Sequence, residues 1–179
     1  MPVLTPPDHL PGPRALPLVA ASRRRLMATA LGLGAALIVT AIPAQAQTYN
    51  WLQSHWKSDR HVHIENRRLE AGRIELGWHS AMWVIEPVAG ERGYHRIRNR
   101  WKPDLFLHIE NGGVEAGPIK PGWHSAMWSI EPVEGERGLY RIRNRWEADR
   151  YLHIERGDIE VGPIKSGWHS AMWRIRQAE

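Results

Sequence analysis

The heptapeptide Gly-Trp-His-Ser-Ala-Met-Trp runs from Gly77 to Trp83 and recurs letter for letter at Gly122–Trp128 and Gly167–Trp173. A segment kept three times is either the buried seam of a symmetric fold or one wall of a site built in triplicate. The surrounding chain carries the same interval. Trp56, Trp101 and Trp146 are 45 residues apart, as are His63, His108 and His153. Three uninterrupted repeats follow, 49–93, 94–138 and 139–179.

Period alone is shared by helical arrays and propeller blades, so local chemistry has to separate them. Leu139–Trp146, LYRIRNRW, sets Tyr140, Ile142, Asn144 and Trp146 on one face against Arg141, Arg143 and Arg145 on the other, the alternation of a half-buried strand. Tyr151–Glu155 and Met127–Pro132 read as strands too, and Asn111-Gly112-Gly113 and Arg156-Gly157-Asp158 suit tight hairpins. In the middle repeat the expected strands are Tyr94–Trp101, Phe106–Glu110, Val114–Ala116 and Met127–Ile130. Three units of four strands are too few for a propeller of roughly four to eight blades. Closure about a pseudo-threefold axis leaves few free sheet edges. The expected architecture is an all-β, twelve-stranded β-trefoil.

The stretches YRIRNRW, YLHIE and VGPIKSGWHSAMWRI resemble the repeat of the ricin-type β-trefoil lectins, over nearly all of residues 47–179. The resemblance implies that Trp83, Trp128 and Trp173 stand for the family's terminal Gln-x-Trp tryptophan and pack into the core. The family's sugar-contacting Asp falls at His63, His108 and His153, and its Gln at Ala81, Ala126 and Ala171. The resemblance thus implies the fold and a lectin-like, carbohydrate-binding function, while galactose geometry of the familiar kind is not carried over.

The site residues expected from the pattern form three copies. His63, Glu65, Trp78 and His79 make the first, His108, Glu110, Trp123 and His124 the second, His153, Glu155, Trp168 and His169 the third. Tryptophan faces suit the apolar side of a sugar ring, and imidazole and carboxylate suit its hydroxyls. His63, His108 and His153 alternate with apolar neighbours, so they are expected to point away from the core, beside the glutamates two residues on. Within the heptapeptide the second tryptophan reads as core and the first as a binding edge or a packed cap.

Several classes of function are disfavoured. The serine after each heptapeptide histidine would face the other way on an extended strand, so no nucleophile and base are paired. No glycine-rich phosphate loop or metal-ligand motif is present. His79, His124 and His169 would bind zinc only if they converged on the axis. No enzyme, metal or cofactor is therefore expected. The arginines at 96, 98, 100, 141, 143 and 145 are expected to pair with Glu86, Glu91, Glu131 and Glu136 rather than to grip a polyanion. The expected partner is a glycan or cell-surface polysaccharide, bound by a monomer; the alternative is a protein partner, as for an inhibitor or adhesion domain.

Residues 1–46 read as an export signal. Arg23-Arg24-Arg25 precede the apolar run Leu26–Ile42, and Ala44-Gln45-Ala46 has the small-x-small form of a signal-peptidase site. Ser22–Met27, SRRRLM, also resembles the twin-arginine motif, and an uncleaved anchor is the alternative to cleavage. This segment holds four of the 24 basic and one of the 19 acidic residues, so the net charge falls from +5 to +2 on its removal. That remainder lacks the basic excess of a nucleic-acid binder. With no cysteine, the chain has neither disulfides nor a lipoprotein anchor. The expected location is periplasmic or extracellular. Intact-mass or N-terminal analysis of exported material should give a chain beginning at Gln47; a retained apolar segment would establish an anchor instead.

Overall fold

The computed structural model describes residues 47–178; the expected export segment lies outside the described residues. Twelve strands of five residues account for the three repeats. The first contributes β1 (Asn50–Ser54), β2 (His61–Glu65), β3 (Arg68–Gly72) and β4 (Trp83–Pro87). The second contributes β5 (His95–Asn99), β6 (Phe106–Glu110), β7 (Gly113–Gly117) and β8 (Trp128–Pro132). The third contributes β9 (Tyr140–Asn144), β10 (Tyr151–Glu155), β11 (Asp158–Gly162) and β12 (Trp173–Gln177).

Six of these strands close a ring. β1 pairs along its length with β12, β4 with β5, and β8 with β9, and the ladders join at Asn50↔Trp83, His95↔Trp128 and Tyr140↔Trp173. Each joint is the last residue of a heptapeptide, so the repeated tryptophan sits where one ladder passes to the next. The remaining strands form three hairpins, β2–β3, β6–β7 and β10–β11, which hang from β1, β5 and β9 and touch one another as a cap. A closed six-stranded barrel with a three-hairpin cap is the β-trefoil.

The hairpin turns show why the sequence bends where it does. Asn111-Gly112 and Arg156-Gly157 are two-residue loops with φ of 51° and 79°, and 52° and 104°. Two successive positive φ values match the right-handed twist of the flanking strands. Repeat one makes the same turn with Asn66 at 48° and Arg67 at 65°, so a side chain occupies the left-handed region that its sister repeats give to glycine.

The core is a layered, threefold set. Leu52, Ile97 and Ile142 from the barrel, and Val62, Leu107 and Leu152 from the cap, are fully buried with Trp83, Trp128 and Trp173. The indole Nε1 of Trp83, Trp128 and Trp173 donates to the carbonyl oxygens of Val62, Leu107 and Leu152 at 2.8, 2.9 and 2.8 Å. Each tryptophan therefore fills the core and also satisfies a buried polar pair between barrel and cap.

Two expectations need correction. Trp146 does not share the inward face of Ile142 and Asn144: β9 ends at Asn144, the chain turns through Glu147–Arg150, and Trp146 is 58 % exposed. The Ser beside each heptapeptide histidine is not on an extended strand, because His79–Ala81, His124–Ala126 and His169–Ala171 form single 3-10 turns. The charge pairing occurs at three of the six arginines, Arg98 on Glu86 at 3.2 Å, and Arg143 on Glu131 and Arg145 on Glu91 at 2.6 Å, while the buried Nε of Arg96 and of Arg141 has no hydrogen-bond partner among the described residues. Emptying the Trp128 site by Trp128→Ala should cost about 3–5 kcal/mol. Thermal or denaturant unfolding measures this, and an unchanged melting curve would contradict the buried register.

Candidate functional site

Each heptapeptide carries the chain from surface to core. Gly77 takes a φ of 87°, which turns the chain; Trp78 is half-buried, His79 is exposed, and Ala81, Met82 and Trp83 are buried. The surface half of the segment forms one wall of a cleft. The opposite wall comes from the following repeat.

Three such clefts are present among the described residues. In one, of about 510 Å³, Glu65, Trp78 and His79 face Trp101. In the next, of about 500 Å³, Glu110, Trp123 and His124 face Trp146. In the last, of about 380 Å³, Glu155, Trp168 and His169 face Trp56, which closes the cycle from repeat three back to repeat one. Nine of the expected site residues are thus brought together in threes. His79, His124 and His169 line separate clefts, so the convergence on one axial zinc does not occur.

Trp56, Trp101 and Trp146 were not among the residues expected at the site. They are 50, 52 and 58 % exposed, high values for the largest apolar side chain. The readable signal was the turn just after each of them, at Lys57–Arg60, Lys102–Leu105 and Glu147–Arg150, which ends the alternation and lifts the indole off the sheet. Asn99 fixes the geometry from beneath. Its Nδ2 donates to the Ser80 carbonyl at 2.9 Å, while its Oδ1 accepts the Trp101 backbone N–H at 3.0 Å. One buried amide thereby holds both walls, and Asn144 repeats the arrangement between Ser125 and Trp146, each bond 2.9 Å. In the third cleft Ser54 takes the asparagine's place and bonds only the Lys57 N–H, at 3.2 Å.

His63, His108 and His153 correct the sequence reading. They are 2, 2 and 3 % exposed and lie behind the clefts rather than facing solvent. Alternation failed here because both faces of the hairpin strand are covered. The Trp78, Trp123 and Trp168 rings lean on the imidazoles with centroids 5.9, 5.8 and 5.9 Å apart. On the neighbouring strand stand Gly72, Gly117 and Gly162, where a methyl group would lie 2.6, 2.8 and 3.3 Å from the imidazole Cε1. The histidine thus fills a space that glycine leaves and supports the tryptophan above it. Its Nδ1 bonds the carbonyl two residues back at 3.0–3.1 Å.

Ionisation elsewhere is set by simple causes. Burial, then the neighbouring His63 and Arg176, hold His61 below the usual imidazole range. His55 is lowered by desolvation, then by Arg174 and His169. The Glu131 carboxylate raises Arg143 further. None of these three groups lines a tryptophan cleft.

Comparison by sequence finds no matching family model and no matching curated protein. Solved structures do match. The GlcNAcα1-4Gal-releasing endo-β-galactosidase of Clostridium perfringens is 26 % identical at a TM-score of 0.64, over 74 % of this chain and 33 % of that one. This chain thus spans about a third of that enzyme's length. SeviL, solved with asialo-GM1 saccharide, is 18 % identical at 0.63, over 75 % of this chain and 100 % of its own. The designed threefold-symmetric ThreeFoil is 18 % identical at 0.61, over 72 and 97 %. Topology and likeness together define the class: the chain carries a β-trefoil domain.

The glycine–histidine fit gives a graded expectation. Gly72→Ala and Gly117→Ala push the methyl into the imidazole and should destabilise by about 1–3 kcal/mol, the range for overpacking a filled interior. Gly162→Ala, with the looser 3.3 Å approach, should cost less. Melting curves rank the three; equal, negligible shifts would mean that the histidines do not pack as described.

Proposed function

We propose that the domain binds carbohydrate without catalysis, at the three clefts between repeats. The observation that carries this reading is the pair of tryptophans across each junction, Trp78 with Trp101, Trp123 with Trp146, and Trp168 with Trp56. Two indoles on opposite walls offer apolar faces to the C–H surfaces of a pyranose, and indole is the side chain best suited to that contact. Around them stand hydrogen-bonding groups that match hydroxyls: Glu110, Asn111, His124 and Ser125 in the second cleft. Such a combination of aromatic walls and a few convergent polar groups is the usual character of a small-molecule site.

The saccharide named with SeviL and the galactoside chemistry named for the clostridial enzyme support a sugar as the ligand class. We read the protein as an exported monomer that meets a glycan or cell-surface polysaccharide in the periplasm or outside the cell. Three weak sites on one chain would hold a multivalent glycan surface by avidity, since each further contact forms at high effective concentration. The second cleft is the strongest candidate. Pro118 stiffens the approach to Trp123, and Asn144 ties both walls, so less ordering is left to the ligand.

Glycan-array screening followed by retention on the glycan surface tests the reading. Trp146→Ala changes an exposed side chain, so the variant should melt like the parent yet lose tenfold or more in retention; Trp123→Ala should lose as much. Undiminished retention in both folded variants would overturn the assigned clefts and favour the protein-interaction alternative.

A further inference from the structure

We propose that the cap hairpins bind divalent zinc-like cations, each between a buried histidine and two glutamates: His63, Glu65 and Glu70; His108, Glu110 and Glu115; His153, Glu155 and Glu160. The spacing is the same in every repeat, His-Ile-Glu followed by a glutamate five residues on. Register places the three side chains on one face. His63 lies opposite Glu70, His108 opposite Glu115 and His153 opposite Glu160, with the other glutamate two residues along the histidine's own strand. In each triad the candidate ligand atoms lie within 4.8 Å of one another.

The histidine supplies an observation that a pair of carboxylates alone would not. Its Nδ1 faces a backbone carbonyl oxygen at 3.0–3.1 Å, so Nδ1 carries a hydrogen, and in the neutral ring Nε2 presents a lone pair. That lone pair points at a carboxylate oxygen, at 3.4 Å for Glu65, 3.3 Å for Glu110 and 3.6 Å for Glu155. The last is beyond hydrogen-bond reach, so the Nε2 of His153, on a side chain 4 % exposed, is aimed into the triad at a carboxylate it does not hydrogen-bond. In the neutral imidazole two acceptors face each other, and a cation between them, a proton or a metal ion, relieves the repulsion.

Distance favours a metal in that place. Zinc holds imidazole nitrogen and carboxylate oxygen at about 2.1 Å in a tetrahedron, which sets neighbouring ligand atoms about 3.4 Å apart. The observed nitrogen–oxygen separations bracket that value. A backbone carbonyl on the far imidazole nitrogen is also the usual outer partner of a metal-ligating histidine. One nitrogen and two carboxylate oxygens leave the fourth position open, and a cavity lined by His63, Glu65, Arg68 and Glu70 gives access in the first repeat.

The copies differ in a way that ranks them. Opposite Glu65, Glu110 and Glu155 stand Arg68, Gly113 and Asp158. A guanidinium competes with a metal for the first carboxylate, whereas glycine is neutral and aspartate adds negative charge. Repeats two and three should therefore bind more tightly than repeat one.

The test is zinc titration of the purified chain after chelator treatment, with bound metal counted by elemental analysis. We expect saturable binding of at least two equivalents, and loss of one equivalent in Glu115→Gln and one in Glu160→Gln. Both substitutions keep side-chain shape on accessible carboxylates, so the metal-free melting curve should stay put and separate lost binding from lost folding. X-ray absorption of the zinc-loaded chain should show nitrogen and oxygen ligands only. Absence of saturable zinc uptake would mean that a proton alone bridges the pair, and overturns the proposal. Uptake unchanged in both variants overturns it equally, by assigning the metal to the exposed cleft histidines.

Discussion

The indole-to-carbonyl bond of Trp83, Trp128 and Trp173 is the contact on which the rest of the fold depends. It runs from the start of a barrel strand to the second residue of a cap hairpin 21 residues earlier. A hairpin by itself is marginal in water, and a barrel of five-residue strands has an open end. The tryptophan joins the two: its ring fills the volume between them, and its N–H pairs with a carbonyl that would otherwise be buried unsatisfied. An aliphatic residue could fill the space but would leave that carbonyl orphaned. The requirement for both properties at each joint explains why the last letter of the heptapeptide does not vary.

The sequence made the architecture legible because closure imposes strict periodicity. A 45-residue spacing without insertions, strand alternation in Tyr140–Asn144, and Asn-Gly or Arg-Gly turns each report on local chemistry, and all three agree with one topology. What alternation could not show was the second covering layer. His63, His108 and His153 have the pattern of outward residues, yet Trp78, Trp123 and Trp168 fold back over them. That contact joins residues 15 apart through β3 and the turn at Gly77, and nothing in strand periodicity encodes it.

The exposed tryptophans were missed for a related reason. Trp146 continues the in-out count of Ile142 and Asn144, but the backbone leaves the sheet at Asn144, whose side chain bonds the Trp146 N–H at 2.9 Å. Asparagine at a strand's end, accepting from the backbone two residues on, is a turn signal in its own right. Read that way, Asn99-x-Trp101 and Asn144-x-Trp146 mark a strand end and a projecting ring. Repeat one has Ser54-x-Trp56, a weaker version of the same device, so the signal there was fainter.

Placing each cleft across a repeat junction has a structural consequence. No repeat contains a complete pair of tryptophan walls; Trp168 meets Trp56 only because β12 pairs with β1 along its whole length. The third cleft therefore exists only in the closed ring, and the first two need Asn99 and Asn144 buried in place. An opened or partly folded chain would present scattered indoles rather than paired ones. The pairing of the cleft tryptophans and the closure of the barrel are thus one event, which accounts for a heptapeptide whose first half faces the cleft and whose second half forms the core.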